Sequence, residues 1–96
     1  MTMATAVVIP AYDEAATIAD IVRRARQQVE RVFVVDDGSR DDTAMRAEAA
    51  GAMVVRQPGN QGKGASLWLG MQTALSQGAE AALTLDGHVQ HRPEDI

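Results

Sequence analysis

The chain has 96 residues, 46% of them hydrophobic, a formal net charge of -4 and no cysteine. This size predicts one small domain, and the acidic charge excludes nucleic acid as a partner, because phosphate binding requires a basic face. Because the chain has no cysteine, disulfide and thiolate chemistry are excluded. No stretch approaches the roughly 20 apolar residues of a membrane span. We therefore expect a soluble, cytoplasmic protein without a membrane segment in this chain.

The first predicted elements are a strand and a helix. Ala6–Ile9 is a short apolar run followed by Pro10, which lacks an amide hydrogen and marks the end of a strand. From Glu14 to Val29, apolar residues recur at helical spacing. The chain therefore begins with β-α.

A second buried strand, Val32–Val35, ends at two adjacent carboxylates, Asp36 and Asp37. Ser39 and Asp42 have the spacing of a capping box, which predicts that a helix opens there. Ligands of open parallel sheets bind beyond the carboxyl ends of the strands, so the two carboxylates are placed to meet one. The alternative is that they only cap the next helix.

The remaining pattern repeats the alternation of strand and helix. We expect a helix over 41–50, a strand over 52–55, a helix over 62–77 and a strand over 81–85. On the third helix the inner side is predicted to carry Leu67, Trp68, Met71 and Leu75. The order β-α-β-α-β-α-β with short connections predicts a three-layer α/β/α fold with a mainly parallel sheet.

Four loops then lie at the carboxyl edge of the sheet, at residues 10–14, 36–39, 59–64 and 86–91. Together they supply an aromatic ring, several carboxylates, one lysine on a glycine-rich turn and two imidazoles. This set suits a ligand with a flat base, a ribose and a diphosphate. Because carboxylates alone would repel phosphate, a divalent cation is expected to mediate the contact.

Other phosphate-binding motifs do not match. The segment 59–64 has two residues between its first glycine and Gly62-Lys63, whereas the Walker loop needs four, followed by Ser or Thr. No glycine-rich turn follows the first strand, where the dinucleotide fingerprint belongs. A generic dinucleotide-binding domain is therefore the third choice.

The four loops together resemble the motifs of family 2 glycosyltransferases, whose nucleotide-sugar-binding half has the GT-A fold. Residues 10–14 (Pro-Ala-Tyr-Asp-Glu) are similar to the first motif, with Asp13 in place of the usual asparagine. Residues 34–43 and 60–65 are similar to the second and third motifs. Residues 86–96 resemble the stretch that bears the metal-binding Asp-x-Asp. The closest likeness is to the dolichyl-phosphate-mannose-synthase-like branch.

The resemblance implies a function and a set of site residues. The family transfers a sugar from a UDP- or GDP-linked donor to an acceptor hydroxyl, with metal assistance and inversion of the anomeric centre. Pro10, Tyr12 and Glu14 would line the base and ribose pocket. Val35 and Asp37 would meet the base, and Lys63 would lie near the diphosphate or support the base pocket. Asp86 and Gly87 would contribute to nucleotide-sugar binding.

By the same resemblance, Asp86, His88 and Gln90 would form the metal site. His88 stands where the family has its second metal-binding aspartate. Imidazole suits Mn²⁺ better than Mg²⁺, so we expect Mn²⁺ to be favoured, with affinity falling as His88 protonates at about pH 6 to 7. The alternative is that His88 is an altered residue that cripples the site.

Members of that family are longer, and their acceptor-binding half and catalytic base lie beyond the position of Ile96. We therefore expect the chain to be the donor-binding half of an enzyme, truncated at its C-terminus and incomplete for turnover. The acceptor would be a polyprenyl phosphate or a saccharide. The alternative is a non-catalytic nucleotide-binding or scaffolding module. Exposed sheet edges favour self-association, which makes a homo-oligomer a further expectation.

Overall fold

Four strands and three helices alternate along residues 5–59 and 61–85, the part of the chain that the computed structural model describes. The strands are short apolar segments, and the helices follow them after turns rich in Gly, Asp and Pro. The elements are β1 (Thr5–Ala11), α1 (Ile18–Arg26), β2 (Arg31–Asp36), α2 (Thr43–Ala49), β3 (Met53–Arg56), α3 (Lys63–Ser76) and β4 (Ala81–Thr84).

All strand pairs are parallel, and the sheet order is β3-β2-β1-β4. Side chains alternate between the two faces of the sheet, so each strand contributes to two separate cores. One core joins the sheet to α1 and α2, and the other joins it to α3. The predicted three-layer α/β/α architecture with a parallel sheet is confirmed.

The strand β1 continues two residues past its predicted end and includes Pro10. Its pairing with β4 ends at Val8 and Thr84. Carbonyl and amide groups alternate in direction along the strand, so the nitrogen of Pro10 faces the β4 side, where none of the described residues is paired with it. Within the described part of the sheet, the missing amide hydrogen of Pro10 therefore costs no hydrogen bond between strands.

The helices α1 and α2 are shorter than the sequence predicts. The turn after Glu14 precedes α1, because the carbonyl of Glu14 accepts from Thr17 and Ile18 before the helix begins. The capping box predicted for α2 is wrong: its N-cap residue is Asp42, without a side-chain capping bond. The side chain of Ser39 instead bonds the preceding loop.

The prediction for the inner side of α3 is also wrong, except at Leu67, which is partly buried. Trp68, Met71 and Leu75 lie on the solvent side, with Trp68 67% exposed. The buried positions are instead the small residues Ser66, Gly70 and Ala74. The apolar residues of this helix surround it, so their periodicity alone does not distinguish its two sides.

Gly70 shows why small residues face the sheet. A Cβ atom at this position would lie 2.3 Å from Cγ1 of Val8 and 2.9 Å from Cγ2 of Val35. These distances are too short for any side chain, so α3 approaches β1 and β2 at the distance that only glycine permits. The close approach fixes where the beginning of α3 lies relative to the end of β2.

Candidate functional site

Three loops leave the carboxyl edge of the sheet side by side. We call them the first loop (residues 12–17), the second loop (37–42) and the third loop (57–62), in which residue 60 is not described. Ala11 is paired with Asp36 at this edge. The amide of Asp37 donates to the carbonyl of Ala11 at 2.9 Å. The amide of Gln57 donates to the carbonyl of Asp36, also at 2.9 Å.

The first loop is joined to the second loop and to the first residue of α2 by backbone amides that donate to side-chain oxygens. The amide of Asp13 donates to Oγ of Ser39 at 2.8 Å, and the amide of Arg40 donates back to Oδ1 of Asp13 at 2.8 Å. Further along, amides of the first loop donate to Oγ1 of Thr43 (from Glu14, 2.8 Å) and Oδ2 of Asp41 (from Ala15, 3.2 Å). The junction is therefore distributed over four side chains.

Two features stabilise this junction locally. Asp13 has a φ of 51°, a left-handed conformation that Asp and Asn tolerate better than other residues with a Cβ. The hydroxyl of Thr43 donates a hydrogen bond to Asp41, and this bond, with amide donors from Ala15 and Thr43, lowers the pKa of that carboxyl. Asp41 is therefore fixed in place as an anion at neutral pH.

Asp36 is a fully buried carboxylate at the end of β2. Its Oδ1 accepts from the amide of Ser39 at 3.0 Å, and its Oδ2 forms an ion pair with Nε of Arg56 at 3.3 Å. Among the described residues, that Oδ2 accepts no hydrogen bond. Asp36 thus orders the start of the second loop from inside the fold.

Asp37 is the centre of the junction between the second and third loops. Its Oδ1 accepts from Nε2 of Gln57 at 3.0 Å and from the amide of Gln61 at 2.7 Å. Its Oδ2 accepts from the amide of Gly62 at 2.9 Å. A carboxylate has about four acceptor positions, so these bonds leave capacity for one further donor, on Oδ2.

The backbones of the second and third loops also touch. A Cβ atom on Gly38, whose φ is +77°, would lie 2.6 Å from the carbonyl oxygen of Gly59. Any residue with a Cβ at position 38 would be strained by the positive φ and would clash with Gly59. Gly38 therefore brings the third loop against Asp37.

The other described residues of the predicted site lie at the same edge but differ in exposure. Tyr12 is half-buried, and its amide lies 3.4 Å from Oε1 of the buried Glu14. Lys63 is exposed and is the first residue of α3, directly after Gly62. Pro10 and Val35 are paired in the sheet and buried. The side chain of Val35 packs in the core under α3, so only its main chain is available to a ligand.

Asp86, Gly87, His88 and Gln90 lie outside the described residues. The segment before them is fixed at the sheet, since the amide of Leu85 donates to the carbonyl of Val8 at 2.9 Å. Within residues 5–59 and 61–85, no group of three or more His, Cys, Asp or Glu side chains could hold a metal ion. The predicted ligands, a carboxylate, an imidazole and an amide, form a donor set that fits Mn²⁺.

Gln57 and Ser66 belong to the site but were missed by sequence analysis. Nε2 of Gln57 donates to Asp37 and also to Oγ of the fully buried Ser66, at 2.9 Å. Gln57 directly follows β3, just as Asp37 follows β2. Its position as a polar residue directly after a strand could have indicated Gln57. No pattern in the sequence indicated Ser66.

An open cavity of about 270 Å³ lies elsewhere, between α2 and β3. Its lining residues are Ala44, Met45, Glu48, Val54 and Arg56, and it contains no residue of the predicted site. Among the described helices, none combines the length and apolar character needed to cross a bilayer.

Comparison with known proteins gives a consistent result. The family model described as glycosyl transferase family 2 matches residues 6–96. Glycosyltransferase AglJ from Haloferax volcanii is 38% identical over 93 residues, which are 96% of this chain and 30% of that protein. The UDP-N-acetylglucosamine–dolichyl-phosphate N-acetylglucosaminyltransferase from Methanococcus voltae is 28% identical over 107 residues, covering 93% of this chain and 43% of the relative.

Solved structures show the same likeness. Glucosyl-3-phosphoglycerate synthase from Mycobacterium tuberculosis, in complex with Mn²⁺, UDP and glucosyl-3-phosphoglycerate, superposes with a TM-score of 0.75 at 30% identity. The match covers 95% of this chain and 36% of that one. The chain thus spans less than half the length of these relatives. The match also supports the expected GT-A fold of the nucleotide-sugar-binding part.

Proposed function

This chain belongs to glycosyl transferase family 2, and we propose that it binds a nucleotide-diphospho-sugar at the carboxyl edge of its sheet, as the donor-binding half of an inverting glycosyltransferase. The observation that carries this proposal is the convergence of the three loops at one edge of the sheet: the first loop bonds the second at Ser39, and the third bonds the second at Asp37. The donor would lie across this convergence, with its base at Asp37 and its diphosphate toward the segment that follows β4.

Asp37 would recognise the base. As an ionised carboxylate it only accepts hydrogen bonds, and three of its acceptor positions are filled by the third loop. The remaining position on Oδ2 suits uracil, which presents one N–H between two carbonyls, better than guanine, which presents adjacent N–H groups. The UDP complex of the mycobacterial synthase supports the same choice.

The neighbouring residues would complete the nucleotide site. The half-buried Tyr12 would cover the base, with Pro10 below it in β1 and Glu14 beside it near the ribose. Val35 would contribute through its main chain. Lys63, exposed at the first turn of α3, would lie near the diphosphate.

Asp86, His88 and Gln90 would hold a divalent cation, with Gly87 allowing close approach of the diphosphate. When bound, the cation would stabilise negative charge on the departing nucleoside diphosphate. A carboxylate and an imidazole favour Mn²⁺ over Mg²⁺. The mycobacterial synthase has been crystallised with UDP and with each of these two ions, which supports a divalent cation.

We propose that the acceptor half of the reaction would be supplied by residues outside this chain. The catalytic base that deprotonates the acceptor hydroxyl would lie beyond Ile96. A polyprenyl phosphate is the favoured acceptor and a saccharide the second choice, because the relative from Methanococcus voltae is named for a dolichyl-phosphate acceptor. This acceptor also fits the dolichyl-phosphate-mannose-synthase-like branch.

A thermal-shift panel tests the proposal. UDP, GDP, CDP and ADP are each added with Mn²⁺, with Mg²⁺ or without metal. We expect the largest stabilisation with UDP and Mn²⁺, because a ligand that binds only the folded state raises its stability in proportion to the logarithm of its concentration over Kd. Equal shifts with all four nucleotides would contradict base recognition by Asp37.

Turnover distinguishes the enzyme from the alternative of a non-catalytic module. The chain is incubated with UDP-glucose, Mn²⁺ and a polyprenyl phosphate, and release of UDP is measured. We expect binding without turnover for this chain alone. Turnover by a longer polypeptide that contains it would support the enzyme, and binding without turnover there would favour the non-catalytic module.

A further inference from the structure

Gln57 connects three parts of the candidate site. Its backbone amide donates to the carbonyl of Asp36, which fixes the residue at the end of β2. Its side-chain amide nitrogen donates both to Oδ1 of Asp37, at 3.0 Å, and to Oγ of Ser66, at 2.9 Å. The side chain therefore bridges the second loop and the buried face of α3.

Its partners determine the orientation of this side chain. Ionised Asp37 only accepts hydrogen bonds, so the nitrogen of the Gln57 amide, and not its oxygen, must face it. Both N–H groups of that nitrogen are then used, one by Asp37 and one by Ser66. Ser66 is fully buried on a helix that Gly70 keeps close to the sheet, so the bridge ends on a rigid element.

The other two donors to Asp37 have a different character. They are backbone amides of Gln61 and Gly62, in a loop whose residue Gln61 is exposed. Gly62 is the N-cap residue of α3 and Gln61 precedes it, whereas Gln57 directly follows β3 and its own backbone amide is bonded to the end of β2. Of the donors that the described residues offer to Asp37, Gln57 is the one side chain, and it links the carboxylate both to the buried Ser66 and to the end of β2.

We infer that Gln57 is a positioning residue for nucleotide recognition: it fixes the carboxylate of Asp37 so that the open acceptor position on Oδ2 faces the base. This inference rests on the proposed function. It assigns part of the selectivity for uracil to a side chain that does not touch the nucleotide. Cytosine lacks the N3–H of uracil, so the contrast between UDP and CDP reports on the orientation of Asp37.

The test compares Gln57→Met with a matched control, Gln61→Met. Methionine is close in length to glutamine and removes only the amide. In the control, the side chain that is lost donates to the carbonyl of Pro58, while the backbone amide of Gln61 still reaches Asp37. Affinities for UDP and CDP are measured by calorimetry with Mn²⁺.

We expect Gln57→Met to lower the affinity for UDP about 10-fold, because the misplaced Asp37 carboxylate no longer accepts the charge-assisted hydrogen bond from N3–H of uracil. The affinity for CDP, which lacks this N–H, should be unchanged. Gln61→Met should change neither. An unaltered ratio of UDP to CDP affinity in Gln57→Met would overturn the inference while leaving the proposed function intact. Absence of nucleotide binding by the unmodified chain would overturn both.

A second measurement needs no ligand. Hydrogen exchange at the amides of Gln61 and Gly62 reports whether their acceptor is fixed. We expect faster exchange at both amides in Gln57→Met and unchanged exchange in β1, which shows that the fold is retained. If both amides exchange at the original rate, Gln57 does not position Asp37 and the inference is wrong.

Discussion

The two junctions of the candidate site are built in different ways. The first and second loops are joined by side chains of Asp13, Ser39, Asp41 and Thr43, each contributing one or two bonds. Among the described residues of the second and third loops, the junction consists of one carboxylate, Asp37, and a backbone contact at Gly38. We therefore expect the first junction to tolerate a single substitution, and the second junction to be disrupted by one substitution at Asp37.

Replacement of Asp37 should have the largest effect. In Asp37→Asn, an amide nitrogen would oppose a donor of the third loop, and we expect the free energy of unfolding to fall by about 3 kcal/mol. Asp20→Asn is the matched control, because it removes the same charge from an exposed ion pair and should cost less than about 0.5 kcal/mol. Urea denaturation measures both. Similar losses in the two variants would mean that Asp37 does not join the loops.

Gly38→Ala should rank second. The added methyl group would meet the carbonyl of Gly59 and force a positive φ on alanine, so we expect a loss of about 2 kcal/mol. Gly64→Ala is the control: a Cβ there meets nothing within 4 Å, and alanine in a helix should stabilise by about 1 kcal/mol. Thermal unfolding of both variants should therefore shift in opposite directions.

At the first junction, Thr43→Val should cost about 1.5 kcal/mol. Valine keeps the shape of this fully buried residue but removes the acceptor for the amide of Glu14. Thr43→Ser retains the hydroxyl and should keep the amide of Glu14 protected from hydrogen exchange, which Thr43→Val should not. If Thr43→Val costs more than Asp37→Asn, the proposed difference between the two junctions is reversed.

Changes at Asp13 should be smaller still. Asp13→Ala removes the acceptor for the amide of Arg40 and should cost about 1 kcal/mol. Asp13→Asn keeps that acceptor and tolerates the left-handed conformation, so its free energy of unfolding should match that of the unmodified chain. A loss in Asp13→Asn as large as in Asp13→Ala would assign the stabilisation to the exposed ion pair with Arg40 instead.

Asp41 should give the smallest effect, one that depends on pH. Hydrogen bonding, chiefly from the hydroxyl of Thr43, lowers the pKa of Asp41 from its ordinary value of 3.8. A group whose pKa is lower in the folded state stabilises the fold fully above its unfolded pKa, and this stabilisation is lost as pH falls through the folded pKa. The stability difference between the unmodified chain and Asp41→Asn should therefore be constant from about pH 7 to about pH 5 and shrink as pH falls below 3.8. Thr43→Val removes the main cause and should reduce this pH dependence.

The sequence predicted the alternation of elements because buried parallel strands are continuous apolar runs, visible at Val32–Val35. It did not predict the orientation of α3, because that helix is apolar on most sides. The side that faces the sheet is decided by the space available beside Val8 and Val35, which is a property of the packed state.

The site was predicted only in part for a related reason. Asp37 and Tyr12 were assigned to the candidate site because they follow strands, and strand ends of a parallel sheet meet at one edge. The bonds of Asp37 to Gln57, Gln61 and Gly62 join residues more than 19 positions apart in the chain, and no local pattern indicates them. The role of Ser39 was wrongly predicted because its nearest partner in sequence is not its partner in space.

The outward position of Trp68 has a practical consequence. It is the sole tryptophan of the chain and is 67% exposed on α3, so its fluorescence is an intrinsic optical probe of that surface. Emission should lie at long wavelength and be quenched readily by iodide. Any polypeptide that covers α3, including another copy of this chain, would shift the emission toward blue and shield the indole from the quencher.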